Sequence, residues 1–267
     1  MLPKSIISYK NLGETPLECL ERVRKEYGIA TDIPMTYAGR LDPMAEGVMI
    51  LLAGEECKHK EQYLGLDKTS GFEVLVGFQT DTYDLLGLVK SENEGLRTVW
   101  PSFQKNLARR SEDLSNSLFS DETLNSLFKS FVGTFIQKYP SFSSKTVGGK
   151  QLFQLSKDDE LPDEMPEHEV TISTLSCTST GVREKDELHK EILKRIGLVH
   201  GDFRQEEIIK SWNEVFKNSN EKEFTIFKCI CECSSGTYIR QLVADISKKI
   251  RIPLVTYSIN RTKVGGI

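Results

Sequence analysis

Three short segments of the 267-residue chain place charged or aromatic side chains in turns beside apolar runs. In the first, the turn Gly39–Pro43, a carboxylate at Asp42 is framed by glycine and proline shortly before the apolar run Val48–Leu52. A turn fixed against a buried strand can hold a carboxylate in one position, and Arg40 is available to steady its charge. Aspartates also cap turns without any chemical role, so the residues alone leave both interpretations of Asp42 open.

The second segment, Ser235–Arg240, lies at a predicted junction between a strand and a helix. The backbone amides at the start of a helix favour an anion such as a phosphate. Tyr238 offers a ring on which a base can stack, and Arg240 offers a guanidinium for a carboxylate or a phosphate. A partly buried core aromatic is the alternative interpretation of Tyr238.

The third segment, Tyr139–Lys150, combines a proline, two adjacent glycines and the lysines Lys145 and Lys150. Lysines beside a glycine-rich backbone suit the phosphates of a nucleic acid, although solvated loop lysines are the more common outcome. The four histidines have no metal-ligand spacing and lie beside no nucleophile motif. We therefore expect no histidine-based site and no metal.

Bulk composition permits several functions and favours none. With 38% hydrophobic and 28% charged residues, the chain is typical of a soluble globular protein, and its net charge of −4 gives no overall signature of a nucleic-acid binder. No apolar run is long enough to cross a bilayer and no signal peptide is evident, so we expect a cytoplasmic protein. A basic surface patch is predicted near the carboxyl end, from Lys248, Lys249, Arg251, Arg261 and Lys263.

The elements that must position these segments follow from periodicity. Thr15, Pro16 and Glu18 predict the capped start of a helix running to about Tyr27, with Leu17, Leu20, Val23 and Tyr27 on one face. Strands are predicted at 48–52, at 72–78 with Phe72, Val74, Val76 and Phe78 on one face, and at 224–233 with Cys229, Cys231 and Cys233 on one face. These thiols are predicted to be buried apolar residues rather than metal ligands.

Further helices are predicted at about 92–129, 185–216 and 238–250, and residues 156–169 are predicted to form an acidic exposed loop. Strands scattered among helices indicate a single mixed α/β domain.

Five ordered motifs resemble those of the TruB family of pseudouridine synthases. Gly39–Gly47 resembles the catalytic motif, with its nucleophilic aspartate at Asp42, and Thr80–Asp84 resembles the next motif. Pro140–Phe153, Ser235–Arg240 and Asn260–Gly265 resemble the remaining three. The resemblance implies an α+β pseudouridine synthase catalytic domain with a largely antiparallel sheet, covering residues 1–267, with helical insertions at 91–130 and 180–220. It also implies a bacterial-type member without the PUA-type RNA-binding domain that many relatives append.

The resemblance further implies a monomer that needs no cofactor and isomerises uridine at position 55 of the T-loop of tRNA, binding the T-arm hairpin and no membrane. Asp42 would attack the flipped nucleotide at the base or at the sugar, Tyr238 would stack on the base, and Arg240 would pair with Asp42. Other substrate-binding candidates are Tyr37, where the bacterial motif has histidine, Ile259, where the family has a pocket leucine, and Lys145.

One departure bears on activity. The family carries a tyrosine on the strand that faces the base, and this chain has Ser70 there. We expect Phe72 or another nearby ring to fill part of the space, leaving an active but slow enzyme. The alternative is a family member that binds and remodels tRNA without modifying it.

Overall fold

The computed structural model describes residues 5–90 and 121–266. The strands within these ranges are β1 (Ser5–Lys10), β2 (Met35–Ala38), β3 (Ala45–Ala53), β4 (Lys68–Val76), β5 (Gly133–Lys138), β6 (Thr146–Val147), β7 (Lys150–Gln151), β8 (Glu167–Glu184), β9 (Glu223–Cys233) and β10 (Leu254–Val264). The helices are α1 (Pro16–Glu26), α2 (Lys60–Leu64), α3 (Asp121–Lys129), α4 (Leu152–Lys157), α5 (Lys185–Gly197), α6 (Gln205–Asn218) and α7 (Ile239–Ile250), and a 3₁₀ helix spans Gly54–His59.

Eight of the described strands form one sheet in the order β1-β3-β10-β4-β9-β8-β5, with β2 paired to β3. Neighbouring strands are antiparallel except β3 and β10, which are parallel. The predicted mixed α/β class with a largely antiparallel sheet is confirmed. Gly47 marks the close approach of β3 and β10, because a side chain there would begin 2.2 Å from the carbonyl oxygen of Arg261.

Strand β3 is buried on both faces, as its continuous apolar run predicts. Met49 and Leu51 pack with helix α1, whereas Ile50 and Leu52 pack with Val264 on the other face. The strand that follows the Asp42 turn is therefore held by apolar contacts from both sides.

Helix α1 begins with the predicted capping box. The amide of Glu18 donates to Oγ1 of Thr15, and the amide of Thr15 donates to the Glu18 carboxylate. The predicted apolar face was wrong in part, since Leu17 and Tyr27 are exposed. The buried stripe consists of Cys19, Leu20 and Val23. The helix meets the sheet through this narrower stripe, and Tyr27 is the C-cap residue beyond the last full turn.

The main sheet is covered by helices on both faces, and strand β4 contributes to both layers. Phe72, Val74 and Val76 face α7 and α3, whereas Leu75 packs with α5 and α6. Phe78 was predicted on the first face but packs on the second, because the strand ends at Val76 and Gly77 turns the chain at a positive φ of 100°.

Strand β9 and helix α7 form where the periodicity predicts them. Cys229, Cys231 and Cys233 are buried in the core beneath α7, and this prediction is confirmed. The apolar stripe of α7 is buried through Ile239, Leu242, Val243 and Ile246.

The two predicted insertions have different outcomes. Residues 91–120 lie outside the described residues, and α3 occupies most of the remaining part of that segment. In the second segment, α5 and α6 are helical as predicted, but 180–184 continue strand β8. The acidic loop is shorter than predicted, from 158 to 166, because α4 and β8 extend into it. Among the described helices, none is both long and apolar enough to span a membrane.

Candidate active site

Asp42 lies in the turn between β2 and β3, next to the loops that precede α1, follow β4 and follow β5. The turn is closed by a hydrogen bond from the amide of Ala45 to the Asp42 carbonyl, 3.0 Å long. It is tied to the loop before α1, because the amide of Gly13 donates to the carbonyl of Pro43 at 2.9 Å. The Asp42 side chain remains 36% exposed. The carboxylate is thus fixed at its base and open at its tip.

Arg240, on the first turn of α7, holds the Asp42 carboxylate. Its Nε donates to Oδ2 of Asp42 at 2.7 Å, Nη1 donates to the carbonyl of Thr82 at 2.6 Å and Nη2 donates to the carbonyl of Phe142 at 3.1 Å. Arg240 is only 3% exposed. Burial alone would lower the pKa of Arg240, but the charges of Asp42 and then Asp84 outweigh it and raise that pKa. The guanidinium therefore stays charged and has one orientation.

Asp84 is a second carboxylate beside Arg240. Its Oδ2 is 3.6 Å from Nε of Arg240, and its Oδ1 accepts hydrogen bonds from Oγ1 of Thr82 and from the amide of Leu86. Burial raises the pKa of Asp84 to about 6, partly opposed by the charge of Arg240. Asp84 belongs to the Thr80–Asp84 motif, but no role was predicted for it. Its position four residues after Thr80 places it in the motif, but its contact with Arg240 of α7 depends on the tertiary structure.

Tyr238 caps the start of α7 and is held by Gln137, a fully buried residue of β5. The Tyr238 amide donates to Oε1 of Gln137 at 2.9 Å, and Nε2 of Gln137 donates to the Tyr238 carbonyl at 3.2 Å. The Tyr139 ring meets Tyr238 edge to face at 5.7 Å. Burial, followed by the charge of Asp42, raises the pKa of Tyr238 to about 12, so the phenol is neutral at pH 7. Gln137 was not among the predicted site residues.

A cavity of about 650 Å³ brings together Asp42 and most of the other predicted site residues, namely Tyr238, Tyr37, Ile259 and Lys145. Arg240 lies behind Asp42 and lines a second cavity of about 460 Å³, which Asp42 also borders. Exposed Lys145 is above the Tyr139 ring, with Nζ 5.0 Å from the centroid. The guanidinium carbon of Arg40 is 5.9 Å from the Tyr37 ring centroid. All six predicted residues thus belong to one connected region.

Ser70 lies on the wall of the larger cavity, between Cys231 and Arg261 of the adjoining strands. Phe72 does not fill the space beside it, so the expectation was wrong for Phe72. Although Phe72 points to the same side of β4, it is 3% exposed and packs in the core with Leu41 and Ile259. The aromatic rings that do line this cavity belong to Tyr37, Tyr139 and Tyr238.

Arg261 was predicted on a basic surface, and the structure places it in the cavity wall at 5% exposure. Its Nε donates to the carbonyl of Val48 at 2.8 Å and its Nη1 to the carbonyl of Arg40 at 3.1 Å. Within the described residues, its Nη2 has no hydrogen-bond partner. Burial lowers the pKa of Arg261 to about 10, with the charge of Asp42 opposing the shift. The pairing of β10 with β3 draws this side chain inward, which the local charge pattern could not indicate.

Two further lysines lie near the site, of which Lys10 is buried and Lys68 is half-buried. Nζ of Lys10 donates to the carbonyl of Ala45 at 2.6 Å, just beyond the Asp42 turn, and burial lowers the pKa of Lys10 to about 8 against the charge of Asp42. Lys68 lines the larger cavity beside Ser70, and burial, followed by the charge of Arg261, lowers its pKa to about 8. Both lysines place positive charge close to the site.

Comparisons with known proteins agree with these motifs. Residues 33–195 match the family described as TruB family pseudouridylate synthase (N terminal domain). The chain is 26% identical over 258 residues to tRNA pseudouridine synthase B of Ligilactobacillus salivarius, covering 97% of this chain and 66% of that protein. It is 30% identical over 258 residues to the protein of the same name from Limosilactobacillus reuteri, with the same coverages.

Among solved structures, a Cbf5-Nop10-Gar1 complex contains a similar chain. The TM-score is 0.49 at 13% identity, covering 98% of this chain and 48% of that one. This chain spans just under two thirds of the length of the first curated relatives, 66% in each case. The family match extends over more than half of the 267 residues and includes Asp42. The chain belongs to the TruB family of pseudouridylate synthases.

Proposed function

We propose that this chain converts uridine to pseudouridine in tRNA, at position 55 of the T-loop, as a cytoplasmic monomer without a cofactor. The observation that carries the proposal is the Asp42 carboxylate, which Arg240 holds at 2.7 Å while its tip opens into a cavity walled by Tyr238. Family membership and the names of its relatives, tRNA pseudouridine synthase B, support tRNA as the substrate.

The cavity suits a nucleotide taken out of its stack. At about 650 Å³ it is within the range of pockets that enclose small ligands. An enzyme that reacts at a stacked base must extrude that base, and an aromatic wall restores part of the lost stacking. Tyr238 can provide this wall, because Gln137 fixes its backbone and Tyr139 limits its ring.

The chemistry required is an isomerisation, for which a nucleophile is enough. Asp42 attacks the nucleotide at the base or at the sugar, and the bond between N1 and C1′ breaks. The uracil turns and C5 bonds to C1′, and the bond to Asp42 breaks so that the carboxylate is regenerated. The proton on C5 leaves and N1 gains a proton, so atoms and electrons balance. Arg240 holds the Asp42 carboxylate in one orientation, and Asp84 keeps Arg240 in place.

Positive charge around the site suits the RNA backbone. Lys145, Arg40 and Lys60 line the larger cavity, and Lys248 and Lys249 on α7 are exposed. Each phosphate contact releases counterions, so RNA binding is expected to weaken with salt despite the acidic chain.

The test is mass-resolved mapping of pseudouridine in a T-arm hairpin and in full-length tRNA incubated with the pure protein. We expect conversion at position 55 by the wild type. Asp42→Asn removes the nucleophilic charge and should reduce the rate by roughly three orders of magnitude or more, while RNA binding persists. The matched control is Asp32→Asn, which changes an exposed aspartate outside both cavities.

Two results would contradict the proposal. A near-normal rate for Asp42→Asn would remove Asp42 as the nucleophile. Tight RNA binding by the wild type without any pseudouridine would instead indicate a protein that binds and remodels tRNA.

A further inference from the structure

The connection between α5 and α6, residues 198–204, packs against the loops that build the site. The two helices are anchored to the sheet by buried side chains of Ile192, Ile196, Ile208 and Trp212. Nε1 of Trp212 also donates to the carbonyl of Leu85 at 3.0 Å. The helix pair is therefore fixed to the segment that carries Thr82 and Asp84.

Arg204, at the end of this connection, contacts both of the loops whose backbone carbonyls accept hydrogen bonds from Arg240. Its Nη1 is 2.9 Å from Oδ2 of Asp81, which directly precedes Thr82. Its guanidinium carbon is 4.5 Å from the ring centroid of Phe142. Thr82 and Phe142 supply the carbonyls that accept from Nη1 and Nη2 of Arg240. Arg204 thus provides a second link, besides Arg240 itself, between the two loops whose carbonyls hold Arg240.

The backbone of Arg204 is held in an unusual conformation. Its φ of 63° is in the left-handed region, which residues other than glycine seldom adopt. The turn is maintained by Oδ1 of Asp202, which accepts from the Arg204 amide, and by Oε1 of Gln205, which accepts from the Phe203 amide. Such a conformation persists only where the surroundings enforce it, so the direction of the Arg204 side chain is set by the fold.

The same connection also supports the Asp42 turn. The amide of His200 donates to the carbonyl of Gly13, and the amide of Gly13 donates to the carbonyl of Pro43. Gly13 has a φ of 90°, and a side chain there would begin 2.1 Å from the carbonyl oxygen of Leu198. The contact between the two loops therefore requires glycine. Residues 198–204 consequently brace both partners of the Asp42–Arg240 pair.

We infer that Arg204 is a positioning residue for the Asp42–Arg240 pair and that the α5–α6 connection serves to brace the site. The expected change in rate rests on the proposed function, whereas the bracing of the two loops does not. Arg204 acts through Asp81 and Phe142 and makes no contact of its own with Asp42 or Arg240 among the described contacts. Its loss should loosen the guanidinium of Arg240 without removing any group that reacts.

The kinetic test uses Arg204→Met, Arg204→Lys and Asp81→Asn, with Lys210→Met on the exposed side of α6 as the matched loss of one positive charge. Small displacements of a reacting group are costly, so the single-turnover rate of Arg204→Met should fall roughly 10- to 100-fold. The dissociation constant for a T-arm hairpin should stay within about twofold. Arg204→Lys keeps the charge but lacks the planar face over Phe142, and it should recover part of the rate.

Asp81→Asn should also lower the rate, and the double variant with Arg204→Met should lose little more than Arg204→Met alone, because the two residues act as one unit. A parallel loss of RNA affinity and rate in Arg204→Met would make Arg204 an RNA contact and overturn the inference.

Hydrogen exchange of the RNA-free protein separates this inference from the proposed function. Amides in 81–84 and 142–144 should exchange faster in Arg204→Met than in the wild type and in Lys210→Met. Faster exchange in a protein that makes no pseudouridine would support the brace and refute the proposed function. Unchanged exchange would overturn the inference, whatever the activity.

Discussion

The two buried arginines of the site, Arg240 and Arg261, have different partners. Arg240 is 3% exposed and faces two carboxylates, those of Asp42 and Asp84, in addition to two backbone carbonyls. Arg261 is 5% exposed, donates to two backbone carbonyls, and leaves Nη2 without a partner within the described residues. Their pKa values shift in opposite directions, upward for Arg240 and downward to about 10 for Arg261.

The difference shows how partners set the role of a buried cation. Carboxylates compensate the lost hydration of a guanidinium, whereas carbonyl dipoles do so only in part. Arg240 is therefore a fixed support for Asp42. Among the residues that the structure describes, Arg261 keeps an unused donor in the cavity wall beside Ser70, where the cavity has no ring from β4.

The largest expected effect is the difference in stability between the variants that lack each arginine. Arg240→Met leaves the buried Asp84 carboxylate without its counter-charge and beside the half-exposed Asp42, and it should lower the free energy of unfolding by about 3–5 kcal/mol. Arg261→Met removes an incompletely paired cation and leaves only two backbone carbonyls without their donor. We therefore expect a loss of about 1–2 kcal/mol or less in the free energy of unfolding. Urea unfolding with both midpoint and slope measures this difference. Equal losses would mean that pairing with carboxylates stabilises a buried arginine no more than pairing with backbone carbonyls does.

The pH dependence of stability sharpens the account of Asp84. Burial raises its pKa from 3.8 to about 6, so the folded state binds this proton more tightly than the unfolded state. The contribution of Asp84 to the free energy of unfolding therefore decreases as the pH rises from about 4 to about 6. Asp84→Asn lacks this dependence, and the advantage of the wild type should be larger at pH 4 than at pH 7 by on the order of 2–3 kcal/mol.

The measurement for Asp84 is urea unfolding of both proteins across this pH range. Glu160→Gln, an exposed change at the surface pair with Lys150, controls for general charge effects. Parallel curves for the wild type and Asp84→Asn would show that Asp84 does not titrate in this window.

A ring introduced at Ser70 tests the cavity wall beside Arg261. A base stacked on an aromatic ring gains about 1–3 kcal/mol, so Ser70→Tyr should raise the single-turnover rate by roughly tenfold while RNA affinity changes little. Ser70→Ala is the control, because it removes the hydroxyl and adds no ring. An unchanged or lower rate in folded Ser70→Tyr would mean that Arg261 and Lys68 have rebuilt this wall in a way that excludes a ring.

The smallest expected effect concerns salt. Exposed Lys145, Lys248 and Lys249 are candidates for phosphate contacts, and each replacement by alanine should reduce the slope of log affinity against log salt by about 0.9 or less. Lys150 should contribute less, because it is paired with Glu160 at 2.7 Å. Buried Arg261→Gln should leave the slope unchanged. A reduced slope for that variant would place a phosphate inside the cavity.

Local sequence patterns were sufficient for much of the site. The turn before β3, the capped start of α1 and the strand-to-helix junction at Tyr238 each depend on residues within a few positions of one another, so their sequence signals are strong. The order of the motifs indicated that Asp42, Tyr238 and Arg240 belong together. Ser70, which was predicted as a departure from the family, lies in the cavity wall.

Errors arose where burial depends on neighbours distant in sequence. Leu17 and Phe78 follow the right periodicity, but the angle of α1 on the sheet and the end of β4 at Gly77 decide which side chains are covered. Phe72 points to the expected side of β4, yet its depth in the core is set by Leu41 and Ile259.

The sequence by itself determined the candidate site residues and the turns that present them, because turn chemistry and helix capping are short-range effects. Only the tertiary structure decided how those groups are held. Gln137, Asp84 and Arg204 come from β5, from the loop after β4 and from the α5–α6 connection, and each acts on a residue far away in the chain. A buried charge or amide needs partners in every direction, and the sheet order β10-β4-β9-β8-β5 brings those partners together.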